Sequence, residues 1–129
     1  SSQLITPQHI EPELVIEARR QLPDIAVSEL VEDYIVALVM ATRKPERYSE
    51  SNLPKWLEIG ASPRASIALD KCARAYAWLQ GRDYVGPDDV QSIAHEVLRH
   101  RILLSFEGEA SGKTSDQVID TLLTLVAVP

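Results

Sequence analysis

The stretch Gly60-Ala61-Ser62-Pro63-Arg64-Ala65-Ser66 decides how the rest of this chain is read. It has the marks of a helix start. Gly60 permits a sharp turn, Ser62 is a good N-cap, and Pro63 suits the first helical position, where a missing N–H costs nothing. Arg64 then falls in the first turn, where the free backbone N–H groups already act as about half a positive charge. A cation there opposes the helix unless an anion joins both, and helix starts are ready-made anion sites. Two readings stay open on these residues: an anion site built from a turn, a cap and Arg64, or an arginine that is solvated or paired with an acid such as Glu58.

Working outward, the pattern is helical on both sides. After Pro63, Ala65, Ala68, Leu69, Cys72, Ala73, Tyr76 and Leu79 form one apolar stripe that ends near Gln80-Gly81. So many alanines predict close approach of a neighbouring helix. Cys72 lies in the stripe and reads as a small core hydrophobe. Upstream, Ser28 caps a helix running to about residue 42, with Val27, Leu30, Val31, Tyr34, Ile35, Leu38 and Val39 at helical spacing. Val36 and Met40 add apolar surface on another side, which predicts a central helix packed all round. Tyr34 is either a core tyrosine or a ring for a bound base to lean on. Between the two helices, residues 43–58 read as a long polar connection in which Trp56 and Leu57 either staple the loop or meet another subdomain.

Downstream, Gly81 ends the helix, Tyr84-Val85 reads as extended, and Pro87 starts the next helix with Asp88 and Asp89 in its first turn. Val90, Ile93, Ala94, Val97 and Leu98 form the cleanest stripe of the chain. Arg99, His100 and Arg101 follow it, as last-turn cations do. Residues 102–106 are a short apolar run. A last amphipathic helix carries Val118, Ile119, Leu122, Leu123 and Val126 behind a capping box at Thr114 and Gln117. The first element, from Thr6-Pro7 to about Leu22-Pro23, shows a partial stripe of Ile10, Leu14, Val15 and Ala18, interrupted by Pro12.

Composition bounds the class. The chain has 129 residues, 45% hydrophobic and 25% charged, which describes one globular domain or subdomain. A net charge of −6 argues against a nucleic-acid surface. The longest apolar run, residues 34–41, falls far short of the roughly 20 residues of a membrane span. A single cysteine allows no internal disulfide, and no leader pattern opens the chain, so the cytoplasm is the default compartment. His95 and His100 lack partners at ligand spacing, and no metal site is expected.

The residues "LEIGASPRASIALDKCARAYAWLQGRDYVGPDDVQ" at 57–91 and "VLRHRILL" at 97–104, supported by "DYIVALVMATR" at 33–43, resemble the C-terminal lid subdomain of MoxR-type AAA+ ATPases. Residues 10–25, "IEPELVIEARRQLPDI", depart from that pattern. The resemblance implies that Arg64 is the sensor-2 arginine, catalytic in that it contacts the terminal phosphates of the nucleotide. It further implies that Ser62, Pro63 and Tyr34 stand on the nucleotide side. The cofactor would be ATP with Mg, held mainly by an ATPase domain expected N-terminal of residues 1–129. It also implies a homo-oligomeric ring, usually a hexamer, and chaperone-like work on von Willebrand A-type partners.

One motif reads against its appearance. "GEASGKTS" at 108–115 looks like a phosphate-binding P-loop, but only three residues separate Gly108 from Gly112 where four are needed. It reads as an exposed loop before the capping box. With no Walker acids and no catalytic constellation, the chain is not expected to hydrolyse ATP by itself. The expected fold is an all-α bundle of about five helices, of the AAA+ lid type. The competing reading is a helical protein–protein interaction module with no nucleotide role.

Overall fold

Ser28 opens the central helix α1 (Glu29–Arg43) of the computed structural model, which describes Arg20 and residues 22–129. The expected helix at Thr6-Pro7 and its stripe of Ile10, Leu14, Val15 and Ala18 lie outside the described residues. Ser28 is extended, and its hydroxyl accepts the Val31 N–H at 3.3 Å. Val31, Tyr34, Ile35, Leu38 and Val39 face the core, as their spacing dictates. The prediction of packing all round fails, however. Leu30 is 66% exposed and Val36 50%, so α1 has one uncovered apolar side.

The connection after α1 is more ordered than its polarity suggested. A 3-10 turn spans Pro45–Tyr48, and a one-turn helix α2 (Leu53–Trp56) follows, with Leu53 fully buried. Both turns carry a proline near their start, where its missing N–H is no loss. Strand β2 (Leu57–Ile59) then buries Leu57. It pairs antiparallel with β4 (Leu103–Leu104), Leu57 opposite Leu104, so Leu57 staples the loop onto the body.

Helix α3 (Ala65–Leu79) packs along α4 (Pro87–Leu98). Ala65, Leu69, Ala73 and Ala77 are fully buried on α3, and the three alanines let the helices come close, as predicted. From α4, Val90, Ile93, Ala94, Val97 and Leu98 fill the other side. Cys72 packs partly buried beside this seam, and burial pushes its thiol pKa up, which keeps it a thiol. Gly81, at φ +80°, turns the chain out of α3. Strand β3 (Tyr84–Val85) is extended as expected, and pairs in parallel with β1 (Ala26–Val27).

Asp89 does more than load the first turn of α4. Its carboxylate is 1% exposed, accepts the Gly86 N–H at 2.7 Å and takes both guanidinium nitrogens of Arg82 at 2.6 and 2.5 Å. A buried carboxylate needs such a partner, and this one locks the α3–α4 turn.

The P-loop look-alike does not form an open glycine loop between a strand and a helix. The residues expected to form an exposed loop include a short helix, α5 (Phe106–Ala110), within which Gly108 is buried against the Trp56 backbone. The Lys113 ammonium lies over the Trp56 ring, 4.5 Å from its centroid. The capping box forms as read: Thr114 accepts the Gln117 N–H at 3.2 Å, and the Gln117 side chain accepts the Thr114 N–H at 3.0 Å. Helix α6 (Ser115–Leu125) follows, burying Val118, Ile119 and Leu122. Arg99, expected to serve the end of α4, instead ties α4 to α6 through Asp116 at 2.8 Å. The fold is a mostly helical bundle, with six α-helices and two small ladders among the described residues.

Candidate nucleotide-facing site

Helix α3 begins with a tight turn. The Ala65 N–H donates to the Ser62 carbonyl at 2.9 Å, Ser66 N–H to Pro63 at 3.1 Å and Ile67 N–H to Arg64 at 3.1 Å. These successive i to i+3 bonds wind the chain into the helix. Pro63 fits because its φ is already set for such a turn. Ser62 does not act as the expected side-chain cap. The Ala65 N–H, which its hydroxyl would cap, goes to its carbonyl instead, and no side-chain cap bond forms. Ser62 and Pro63 are both exposed.

The turn is pinned to the C-terminal end of α1. The buried Thr42 hydroxyl donates to the Val39 carbonyl at 2.7 Å and accepts the Ala61 N–H at 3.0 Å. Arg43 donates to the Ala61 carbonyl at 3.2 Å. Both backbone groups of the fully buried Ala61 are therefore held by neighbouring side chains of α1. Gly60 is required for a reason other than a sharp turn. A Cβ there would stand 2.1 Å from the Thr42 carbonyl oxygen and 2.8 Å from the Arg43 Cα. The chain passes too close to α1 for any side chain. Thr42, Arg43 and the true role of Gly60 escaped the sequence reading, since a contact between two helix ends leaves no periodic signal.

Arg64 stands on this fixed base. It is exposed, in helical backbone conformation (φ −65°, ψ −16°), and among the described residues no carboxylate pairs with it, Glu58 included. Its cation lies at the positive end of the α3 dipole, although the Ala65, Ser66 and Ile67 N–H groups are already bonded within the turn. Lys71 is exposed two turns further along α3. Tyr34 is not part of this site. Its ring is 3% exposed and its hydroxyl accepts from the Gln91 amide at 3.2 Å, which is the core alternative rather than the base-stacking one. Among the described residues no group of three His, Cys, Asp or Glu could hold a metal ion, and no helix is long and apolar enough to cross a membrane.

Comparison with known proteins bears on what such an arginine serves. Residues 55–122 match the AAA lid domain. The chain belongs to that family. The lid is also 38% identical to Chaperone MoxR1 of Mycobacterium tuberculosis, over 97% of this chain and 34% of that protein. Protein MoxR of Methylorubrum extorquens is 34% identical over 62% of the lid and 24% of its own length. In a crystal structure from Cytophaga hutchinsonii, described as that of an ATPase, the matching chain superposes with a TM-score of 0.84 at 39% identity. That match covers 91% of the lid and 36% of the crystallised chain. The lid thus spans between a quarter and about a third of these longer relatives, and is of the MoxR type.

Proposed function

We propose that this lid closes over nucleotide held by an ATPase domain of the same protein and presents Arg64 to the terminal phosphates. One observation carries the reading. Arg64 is an exposed cation without a carboxylate partner among the described residues, on a turn that Thr42, Arg43 and Gly60 fix against the body. A cation kept unpaired and rigidly based is prepared for an anion that arrives from outside.

ATP with Mg, when bound, supplies the phosphoryl group and part of the charge balance. The chain's own residues do the rest of what falls to a lid. The guanidinium fork meets two phosphate oxygens at once and gains most where charge accumulates in the transition state. The N–H groups of the α3 start add their partial charge to the same place. Because Ala61 is clamped on both sides, the turn that carries the arginine is placed before the anion comes, which lowers the reorganisation left to the side chain. The same clamp links phosphate contact at Arg64 to the position of α1, so a change in nucleotide state is felt by the whole bundle.

The remaining two-thirds of the protein, by this reading, holds Walker A and Walker B residues and precedes residues 1–129. It assembles into a ring, and works in a chaperone-like manner on a von Willebrand A-type partner. The test is turnover of the full-length protein with Arg64→Ala. A fall of about 10²–10³-fold is expected for loss of one preorganised cation; near-normal turnover rejects the role of Arg64.

A further inference from the structure

We infer that Arg43 is a second cation for the phosphates that Arg64 meets, so that two arginines form a clamp across the junction of α1 and α3. This rests on the lid reading above and adds a ligand-contacting residue to it. Arg43 closes α1, where a cation ordinarily turns back on the last carbonyls of its own helix. Its guanidinium instead reaches across to the approach of α3. There Nη1 donates to the Ala61 carbonyl at 3.2 Å, three residues before Arg64.

That bond leaves most of the group free. A guanidinium carries five N–H donors in one plane, and the Ala61 carbonyl takes one of them. Arg43 is exposed, and its side chain has no other hydrogen bond and no ion pair among the described residues. Acids are not scarce, since 19 Asp and Glu stand against 13 Lys and Arg in this chain. Arg74, Arg82 and Arg99 each hold a carboxylate, at 3.0, 2.5 and 2.8 Å. Arg43 and Arg64 hold none there, and both are tied to the same turn.

Position brings the two cations to one anion. Three residues of chain span at most roughly 10–11 Å when extended. The Ala65 N–H bond to the Ser62 carbonyl winds this stretch tighter still. The anchored Arg43 head and the Arg64 backbone thus stand close enough for both side chains to converge on one polyphosphate. Like charges so placed repel, weakly in water and more strongly as water is excluded. A polyphosphate ends that repulsion and accepts hydrogen bonds from both forks. The Arg43 head is already held by Ala61, so less ordering is left for it when the anion arrives.

The experiment adds Arg43 substitutions to Arg64→Ala in the full-length protein. Affinity for a fluorescent non-hydrolysable ATP analogue with Mg is measured by equilibrium titration. An arginine that only held Arg64 in place would be silent once Arg64 is gone. Arg43→Ala is instead expected to weaken binding by about a further tenfold in that background, as loss of a charge-assisted hydrogen bond does. Arg101→Ala, which removes an exposed cation beyond α4, is expected to leave affinity unchanged. Arg43→Gln keeps an amide donor and loses the charge. It should weaken binding while melting like its parent without nucleotide, which covers the case in which Arg43→Ala fails to fold. Unchanged affinity on adding the Arg43 substitutions would overturn the proposal, as would an equal loss with Arg101→Ala, which marks net charge alone. Failure is separable from failure of the lid reading. Turnover lost in Arg64→Ala with Arg43 silent sinks the clamp alone. Turnover kept in Arg64→Ala with binding still weakened by Arg43→Ala sinks the role of Arg64 and leaves Arg43 as the phosphate contact.

Discussion

Thr42 and Ala61, nineteen residues apart, are joined by a 3.0 Å hydrogen bond from the Ala61 N–H to the Thr42 hydroxyl. The same hydroxyl donates to the Val39 carbonyl, so a single oxygen serves both the end of α1 and the approach to α3. This bond sets where the Arg64 turn stands. Thr42→Val keeps the shape and removes the hydroxyl, leaving the buried Ala61 N–H unpaired at a cost of about 1–3 kcal/mol. Thr42→Ser is expected to recover most of that loss. Thermal melts of the two variants check the claim, and equal melting temperatures would refute it.

Gly60 makes a harsher test of the same junction. Its prospective Cβ meets backbone atoms of Thr42 and Arg43, which cannot swing aside as a side chain would. Gly60→Ala therefore forces the turn away from α1 and costs about 1–3 kcal/mol or more. Since the turn carries Arg64, turnover of the full-length protein is expected to fall further than stability alone explains. A Gly60→Ala lid with an unchanged melt would show that the close approach is not needed.

Ile93 tests the core. It is 1% exposed on α4, the helix with the cleanest apolar stripe. Ile93→Ala is expected to cost about 2–5 kcal/mol, through lost burial and the cavity left behind. A melt that barely moves would mean that α4 does not face the core.

Acid exposes the tie between α4 and α6. The hydrogen bond and charge of Arg99 hold the Asp116 carboxyl below its ordinary pKa. A carboxylate depressed on folding adds stability that is complete above the unfolded value, about 3.9. That contribution is lost as pH falls through the lower folded value. Asp116→Asn should therefore lose that contribution at pH 7, a small one because solvent screens the half-exposed pair, and its stability should converge with that of wild type as pH falls below about 4. Matching acid titrations of wild type and variant would contradict this.

What could be read from sequence followed from period and punctuation. The stripes of α1, α3, α4 and α6 repeat over several turns, and Ser28, Gly81, Pro87 and Thr114 mark their ends, so their existence was legible. Helices α2 and α5 are too short for any period to show, and therefore read as loop. The side of α1 carrying Leu30 and Val36 read as covered because apolar composition does not say which neighbour is present. Arg64 was legible as an odd charge at a helix start. Its base was not, because the bonds from Thr42 and Arg43 join chain segments that only tertiary packing brings together.

The 129-residue chain alone is expected to bind ATP weakly or not at all. A single exposed arginine gains little from a phosphate in water. The P-loop look-alike adds nothing, since Gly108 is packed on Trp56 and Lys113 lies over the Trp56 ring. Titration calorimetry with ATP measures this; binding in the micromolar range would show that residues 108–114 do hold phosphate.

Arg64 gives the last prediction, in which stability and activity are expected to part. In the lid alone, Arg64 is exposed and opposes the positive end of α3, so Arg64→Ala removes an unfavourable charge without breaking an ion pair among the described residues. Its melting temperature should hold or rise slightly. In the full-length protein the same change removes a phosphate contact that strengthens as charge develops, and turnover should fall. Arg64→Lys separates charge from geometry. A lysine restores the cation but not the planar fork, so it should recover only part of the turnover while leaving the melt like that of wild type. A destabilised Arg64→Ala lid would make Arg64 a structural residue, and full recovery by lysine would make it a diffuse charge and not a placed fork.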